Sequence, residues 1–140
     1  MDGLSAAATV TAIVEISAKI ASLCFEYSIA VKHAKKDIDR LQRSVTDNFG
    51  VMEEVKHLFD KHDKTRLPTT HKLLSSLEEC HHQLQGLKAQ LEPGKTQKVM
   101  SRFGVRALKW PFTSKRVEEM VTSLEKYKQT FDLALGVDQT

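Results

Sequence analysis

Four segments of the chain place apolar residues at alternating steps of three and four, the spacing that puts them on one face of an α-helix. The first apolar stripe contains Ile13, Ile16, Ile20, Leu23, Tyr27 and Val31, and the second contains Ile38, Leu41, Val45, Met52, Val55 and Phe59. The third contains Leu73, Leu77, Cys80, Leu84, Leu87 and Leu91, and the fourth contains Val117, Met120, Val121, Leu124, Tyr127, Phe131 and Leu135. The pattern therefore predicts four helices.

Individual residues within and around these stripes predict where the helices begin, bend and end. The first helix is expected over about residues 4–32, and Asn48 falls on the stripe of the second, where a polar residue often fixes register. Gly50 predicts a bend or thin spot, because glycine costs about 1 kcal/mol relative to alanine in a helix interior. The last helix is expected to begin near Ser114 and to stop at Gly136.

The four stripes must be buried against one another, and an antiparallel four-helix bundle does this with short loops. Pro93 and Gly94 end the third helix, so the connection over residues 93–113 is longer than is usual in such bundles. A connection of that length is functional or holds a short helix of its own, and we expect a short extra helix there. The chain is predicted to be all-α, with a single domain over residues 1–140.

The uncharged span over residues 3–14 raises the question of a signal peptide or membrane anchor. No basic residue precedes it, and Asp2 supplies the opposite charge, which disfavours a signal peptide. Glu15, Lys19 and Glu26 interrupt the span before it reaches the roughly 20 apolar residues that cross a bilayer. We therefore expect an amphipathic core helix in the resting state and a cytoplasmic protein.

No motif for catalysis or for binding a metal or cofactor is found. Cys24 and Cys80 are far apart in sequence and are expected to be buried, free thiols in a reducing compartment. The six histidines lack the His-x-x-x-His spacing of helical metal pairs. Residues 94–96 resemble the end of a phosphate-binding loop, but Ala89 stands where that loop needs glycine. We predict that the chain is not an enzyme and holds neither metal nor cofactor.

The net charge of +3 arises mainly from one stretch of the chain, residues 95–116, which we call the basic segment. It has seven basic residues, no acid and several interleaved apolar residues. Such a composition suits an anionic membrane surface, although it is also found where proteins hold nucleic acid. Alternatively, the segment folds its apolar side over the bundle and its basic side chains are simply solvated. The candidate membrane or partner patch is Lys98, Arg102, Phe103, Arg106, Lys109, Trp110, Phe112, Lys115 and Arg116.

Several blocks of sequence resemble the HeLo-like N-terminal domain of fungal NOD-like (STAND) receptors. They are residues 1–8, 19–24, 27–32 with Ile38, 101–112 and 127–131. The block over residues 101–112, which reads from Ser-Arg-Phe-Gly to Lys-Trp-Pro-Phe, is the most distinctive of them. The resemblance extends over the whole chain.

This resemblance implies a helical bundle that precedes a nucleotide-binding oligomerisation module and a repeat sensor. Because the sequence stops at Thr140, it is expected to be an effector domain excised from such a receptor. HeLo-type relatives are regarded as cell-death executors whose first helix leaves the bundle and enters the membrane after oligomerisation. The resemblance therefore implies self-association on activation and the receptor's own nucleotide-binding module as a partner.

The residues of the first helix suggest how insertion would work. In a cluster of copies, Leu4, Val10, Ile13 and Val14 would face lipid, and Glu15 would face a watery interior, the usual place for an ionisable residue at membrane depth. The patch would attract anionic lipid first, which recruits the protein conditionally to the membrane. The alternative is a non-lytic module for homotypic or adaptor contacts. Nucleic-acid binding ranks last, because no recognition motif accompanies the basic stretch.

Overall fold

The computed structural model describes residues 3–61, 71–92 and 109–139, with side chains over residues 6–59, 73–92 and 109–136. Four α-helices account for these ranges almost entirely, and the described residues include no strand. They are α1 (Gly3–Ala30), α2 (Lys35–Lys61), α3 (His71–Leu91) and α4 (Ser114–Gln139). The predicted all-α bundle is thereby confirmed.

The core consists of the four predicted stripes. Its largest fully buried side chains include Ile13, Ile20, Ile38, Leu41, Met52, Leu77, Leu84, Leu91, Leu124 and Phe131. The pattern is not matched everywhere, because Val121 and Tyr127 of the fourth stripe are only partly buried, and in the first stripe Ser17 is fully buried while Ile16 is only partly buried. The buried face of α1 thus follows Ile13, Ser17 and Ile20, and the helix is rotated slightly from the predicted orientation.

Two glycines behave differently from expectation. The predicted stop at Gly136 is wrong, since α4 continues through it to Gln139. Gly50 does not interrupt α2, which runs unbroken from Lys35 to Lys61. A Cβ atom at either glycine would meet nothing within 4 Å, so both lie on open surface. Neither glycine takes the left-handed conformation that ends a helix, and each merely weakens the helix locally.

The helices surround the core in the order α1, α2, α4, α3, so that α1 packs on α2 and α3, and α4 packs on the same two helices. The side chain of Gln42 donates to the carbonyl of Ala21 over 3.3 Å, which joins α2 to α1. The hydroxyl of Ser114 donates to Asp37 over 2.6 Å, which joins the start of α4 to the start of α2. The contact between Ser114 and Asp37 joins two helix starts, so it is not a contact between antiparallel neighbours, and the antiparallel arrangement stays a prediction.

Asn48 lies in the core, as its place on the stripe predicted, with 1% of its surface exposed. Its side-chain amide donates to the carbonyl of Leu124 over 3.0 Å, so α2 and α4 are joined near their centres by a directional contact. Only one alignment of the two helices allows this hydrogen bond. The residue therefore fixes the register between them.

The beginning of α4 is set by Thr113, whose side-chain oxygen accepts a hydrogen bond from the backbone N–H of Arg116 over 3.1 Å. This is the bond an N-cap residue makes, and it confirms the predicted helix start near Ser114. Residues 109–113 before it are not helical. The remainder of the connection, where a short helix was expected, lies outside the described residues.

Candidate functional site

The residues predicted to enter a membrane have different environments in α1. Val10 and Ile13 are fully buried in the core, Val14 is partly buried and Glu15 is exposed. Leu4 belongs to α1, but its side chain lies outside the described ones. In this closed form Val10 and Ile13 are therefore inaccessible to lipid, and they would become accessible only if α1 left the bundle.

Only three charged residues occur in α1, and all three lie on one side of it. Glu15, Lys19 and Glu26 are exposed and are separated by four and seven positions, so they follow a single line along the helix. We call this line the charged strip. It is narrow, because the positions on either side of it carry no charge. The rest of the circumference of α1 is uncharged, including the half that faces solvent.

The solvent-facing side of α1 beside the charged strip is partly apolar. Ala18, Ser22, Phe25 and Ile29 are spaced by four, three and four positions and are all exposed, and we call them the outer strip. Phe25 is 57% and Ile29 67% exposed, and the two lie about one turn apart on α1. Both residues lie off the predicted apolar stripe, so the sequence pattern could have indicated their exposure, but the sequence analysis did not predict it.

The segment Ala6–Ala30 of α1 has a mean hydropathy of 1.5 over its most apolar window, enough by length and composition to cross a membrane. Only 39% of that window is buried in the bundle. A buried helix of a soluble protein passes the same test. The uncharged span over residues 3–14 is therefore too short to cross a membrane, as expected, whereas the longer segment Ala6–Ala30 is long enough.

The end of α1 is held by four residues from three parts of the chain, Tyr27, Leu91, Trp110 and Phe112, which we call the Tyr27 junction. Tyr27 is 2% exposed and donates its hydroxyl to the carbonyl of Leu91 over 2.7 Å. Leu91 is the last residue of α3, where a carbonyl has no partner within the helix. The hydrogen bond therefore satisfies an otherwise unpaired group and ties α1 to α3.

Aromatic contacts complete the junction. The indole of Trp110 meets the Tyr27 ring edge to face, with centroids 5.3 Å apart and planes at 76°. Phe112 meets Trp110 in the same manner, at 5.3 Å and 85°. Burial raises the pKa of the Tyr27 hydroxyl above its usual value, so it stays a neutral donor. The segment before α4 thus closes over the end of α1.

The predicted surface patch is not uniformly exposed. Lys109, Lys115 and Arg116 point to solvent, but Trp110 is buried and Phe112 is half-buried against the core. Lys98, Arg102, Phe103 and Arg106 lie outside the described residues. For the two aromatic residues, the structure agrees with the alternative in which the segment folds its apolar side over the bundle. The physical reason is that Trp110 packs against Tyr27 and Phe112 packs against Trp110.

Both cysteines are free and buried, as predicted, one in α1 and one in α3. Burial raises the pKa of Cys24 and of Cys80 to about 12. Such thiols are not nucleophiles near neutral pH. Among the described residues, no group of three or more His, Cys, Asp and Glu side chains is placed to hold a metal ion.

A partly open cavity of about 210 Å³ lies between α3 and α4. It is lined by His82, Gln83, Leu84, Gly86, Leu87, Gln90, Arg116, Met120 and Leu124. None of these residues is a carboxylate or a cysteine, so the lining offers no acid–base pair and no nucleophile of that kind. The features that distinguish this molecule are therefore α1 and the junction that holds it.

Comparison with known proteins gives one match. The family model PigL_N, described as the N-terminal region of the pigment biosynthesis cluster protein PigL, matches residues 1–139. No curated protein matches the chain, and no solved structure matches it. The match supports the HeLo-like part of the resemblance seen in the sequence, whereas the receptor context stays a prediction. The chain belongs to the PigL_N family, a HeLo-like fungal domain.

Proposed function

We propose that this chain is the N-terminal effector domain of a fungal innate-immunity-type receptor. On activation the domains cluster, α1 leaves the bundle, and its insertion into the membrane causes cell death. The observation that carries this proposal is the composition of α1. The helix buries a complete core stripe in the closed bundle, and it is also apolar enough to cross a bilayer.

The charged strip supports insertion by several copies together. A single charged residue at the centre of a membrane helix is unfavourable by about 2.5–3.5 kcal/mol. Because Glu15, Lys19 and Glu26 share one narrow strip, copies of α1 arranged around a pore can turn all three toward water. The former core residues Val10 and Ile13 and the outer strip then face lipid or the neighbouring helix.

Release of α1 requires the Tyr27 junction to open. Its hydrogen bond to Leu91 and its stacking on Trp110 hold the end of α1 in the closed bundle. Clustering through the receptor's nucleotide-binding module would supply the trigger. The domain is cytoplasmic until then, and the basic segment, with Lys109, Lys115 and Arg116 exposed, draws it to anionic lipid.

Dye release from vesicles tests the insertion step. The domain is fused to an inducible oligomerising module and added to vesicles containing phosphatidylserine. In the variant Ala18→Glu, a charge lies on the outer strip, which should abolish dye release while changing the free energy of unfolding by less than about 0.5 kcal/mol. The matched control is Ala89→Glu, which changes another exposed alanine, on α3, and should release dye like the parent.

Two results would contradict the proposal. One is the absence of dye release from the clustered parent domain, and the other is equal release by Ala18→Glu and its control. A double variant, Arg102→Glu with Arg106→Glu, tests the docking role of the basic segment. If this variant still bound anionic vesicles as fully as the parent, the basic segment would have no such role.

The alternative is a non-lytic module that signals by contact with another bundle or an adaptor. The side chain of Leu133 favours it, since it is 72% exposed near the end of α4, a part of the helix to which no membrane role is assigned. This alternative predicts that Leu4→Glu retains activity, whereas surface substitutions on α2 to α4 abolish it. Val10→Glu does not separate the two functions, because Val10 is fully buried and a charge there would disrupt the bundle itself. Membrane insertion of α1 instead predicts that Leu4→Glu abolishes activity.

A further inference from the structure

We propose that the closed domain forms an antiparallel dimer, in which the outer strip of α1 packs against the same strip of a second copy of the chain. The inference concerns the protein before activation, so it goes beyond the proposed function and does not depend on it. Three properties of α1 carry it: the exposure of the outer strip, the order of large and small residues along that strip, and the order of the charges beside it.

The outer strip is an exposed apolar face of the closed bundle. Among the described residues, three large apolar side chains are exposed, Phe25 and Ile29 on α1 and Leu133 on α4. Phe25 and Ile29 share one strip, whereas Leu133 lies on another helix. Ser22 and Ala18, about one and two turns before Phe25, are also exposed and extend the strip without adding charge.

The order of side-chain sizes along the strip fits an antiparallel pair. The small residues Ala18 and Ser22 come first, and the large residues Phe25 and Ile29 come last. If two copies of α1 run in opposite directions and cross between Ser22 and Phe25, Phe25 of each copy lies opposite Ser22 of the other, and Ile29 lies opposite Ala18. Each large side chain then fills the space beside a small one, as knobs fill holes in a coiled coil. In a parallel pair, large residues would meet large ones and small residues would meet small ones.

The charges beside the strip favour the same arrangement. Lys19 and Glu26 lie on the same side of the strip, each one position after one of its residues, and both are exposed. In the antiparallel pair these two positions face each other, so Lys19 of each copy lies beside Glu26 of the other and two symmetric ion pairs form. In a parallel pair they would face the uncharged residues Val14 and Ala21. Neither Lys19 nor Glu26 has an ion-pair partner among the described residues of its own chain.

The edges of the contact are compatible with close approach. On the side away from the charged strip, the flanking residues are Ala21 and Ser28, which are uncharged and half-buried. Gln42 of α2, which donates to the carbonyl of Ala21 at this edge, is also uncharged. Glu15, the third charge of α1, lies level with the turn that follows α1 in the second copy, where Lys32 is exposed. No charge of α1 is therefore set against a like charge.

The contact is short, so the dimer is expected to be weak. The overlapping part of α1, residues 18–29, is about three turns long. One pair of helices of that length buries less than the roughly 1,200 Å² of surface that typical stable interfaces bury. Monomer and dimer should therefore exchange rapidly. While the dimer lasts, it covers Phe25 and Ile29 and keeps the outer strip from lipid.

Sedimentation velocity at increasing protein concentration tests the dimer through charge exchange. Lys19→Glu alone and Glu26→Lys alone each set like charges against each other at both ion pairs, so each should weaken association roughly tenfold. An equimolar mixture of the two variants should associate as the parent does, because opposite charges then meet at both pairs of the mixed dimer. The double variant, Lys19→Glu with Glu26→Lys, should also associate as the parent does.

Matched controls carry the same charge changes on another helix. Lys126→Glu and Glu125→Lys alter exposed residues of α4, and each should associate within twofold of the parent, alone or mixed. A further variant, Phe25→Ala with Ile29→Ala, removes the large side chains of the strip and should weaken association at least tenfold. Circular dichroism confirms that each variant keeps its helices.

Three results would overturn the dimer. They are a parent that stays monomeric up to its solubility limit, a mixture of the two single variants that associates no better than either alone, and a double variant that associates as weakly as the single ones. A monomeric parent whose outer strip binds vesicles would assign the strip to lipid in place of a second copy.

Dye release separates this inference from the proposed function. A monomeric parent that releases dye once it is clustered removes the dimer alone. A dimeric parent whose clustered form releases no dye removes membrane insertion alone.

Discussion

Helices α1 and α4 both pack on α2 and α3, yet they differ in how many charged residues their outer surfaces carry. Each buries a full apolar stripe, and each sends a tyrosine hydroxyl to α3. However, α1 has three charged residues among 28, whereas α4 has nine among 26. The buried stripe therefore does not distinguish α1, which we propose to leave the bundle, from α4. The outer surface does, because nine charges confine α4 to water.

The two tyrosines show a second difference. Tyr27 is almost fully buried and donates to a backbone carbonyl over 2.7 Å. Tyr127 is partly buried and donates to the side chain of Gln83 over 3.1 Å, near the open cavity between α3 and α4. The helix that we propose to be releasable is thus held by the more completely buried contact. A protein that acts by releasing a helix needs such a contact to stay inactive before activation.

The largest expected effect comes from core truncation in the two helices. Ile20→Ala in α1 and Leu124→Ala in α4 should each lower the free energy of unfolding by about 2–5 kcal/mol, since both side chains are nearly or fully buried. Urea denaturation measures this. Only Ile20→Ala should also speed alkylation of Cys24 relative to Cys80 under native conditions, because it loosens α1 selectively. If the rate of Cys24 alkylation relative to Cys80 were the same in both variants, α1 would not be loosened selectively, and the proposed difference between the two helices would be contradicted.

A smaller effect is expected from the tyrosine hydroxyls. Tyr27→Phe should lower the free energy of unfolding by about 1–3 kcal/mol, because it leaves the carbonyl of Leu91 buried without its donor. Tyr127→Phe should lower it by about 0.5–1 kcal/mol, since the side chain of Gln83 can turn to water. Fluorescence of the single tryptophan, Trp110, reports the first change directly through its contact with Tyr27. The reverse order of effects would contradict the role of the junction.

The last effect concerns pH. Burial raises the pKa of both thiols from 9.0 to about 12, so the folded chain retains protons that the unfolded chain loses. Their contribution to stability is complete below pH 9 and is lost as the pH rises toward 12. Between pH 9 and pH 10 each thiol should lower the free energy of unfolding by about 1 kcal/mol. Urea titrations should show a shallower decline in the variant Cys24→Ala with Cys80→Ala.

The helices and most of their buried residues could be predicted from sequence, because a 3.6-residue period fixes which side chains share a face. The burial of Ser17 in place of Ile16 could not be predicted, since a small rotation of α1 depends on how closely its neighbours approach. Gly136 was misjudged because glycine permits a helix to end without requiring it.

The functional surfaces were harder to predict, because they depend on contacts between distant residues. Tyr27 and Leu91 are 64 positions apart, and Asp37 and Ser114 are 77 apart. No local sequence pattern predicts either hydrogen bond. The same reason explains Trp110, whose basic neighbours indicated a surface position, whereas its stacking on Tyr27 places it in the core.

The measurement that tests the release of α1 most directly is the polarity around its outer strip. In a background with both cysteines replaced by alanine, an environment-sensitive fluorophore is attached through Ala18→Cys, and in a control through Ala89→Cys. When the domain is clustered on phosphatidylserine vesicles, the fluorophore on α1 should brighten and be quenched from within the lipid, while the control stays in water. A fluorophore on α1 that stays in water in bound, clustered domains would contradict insertion.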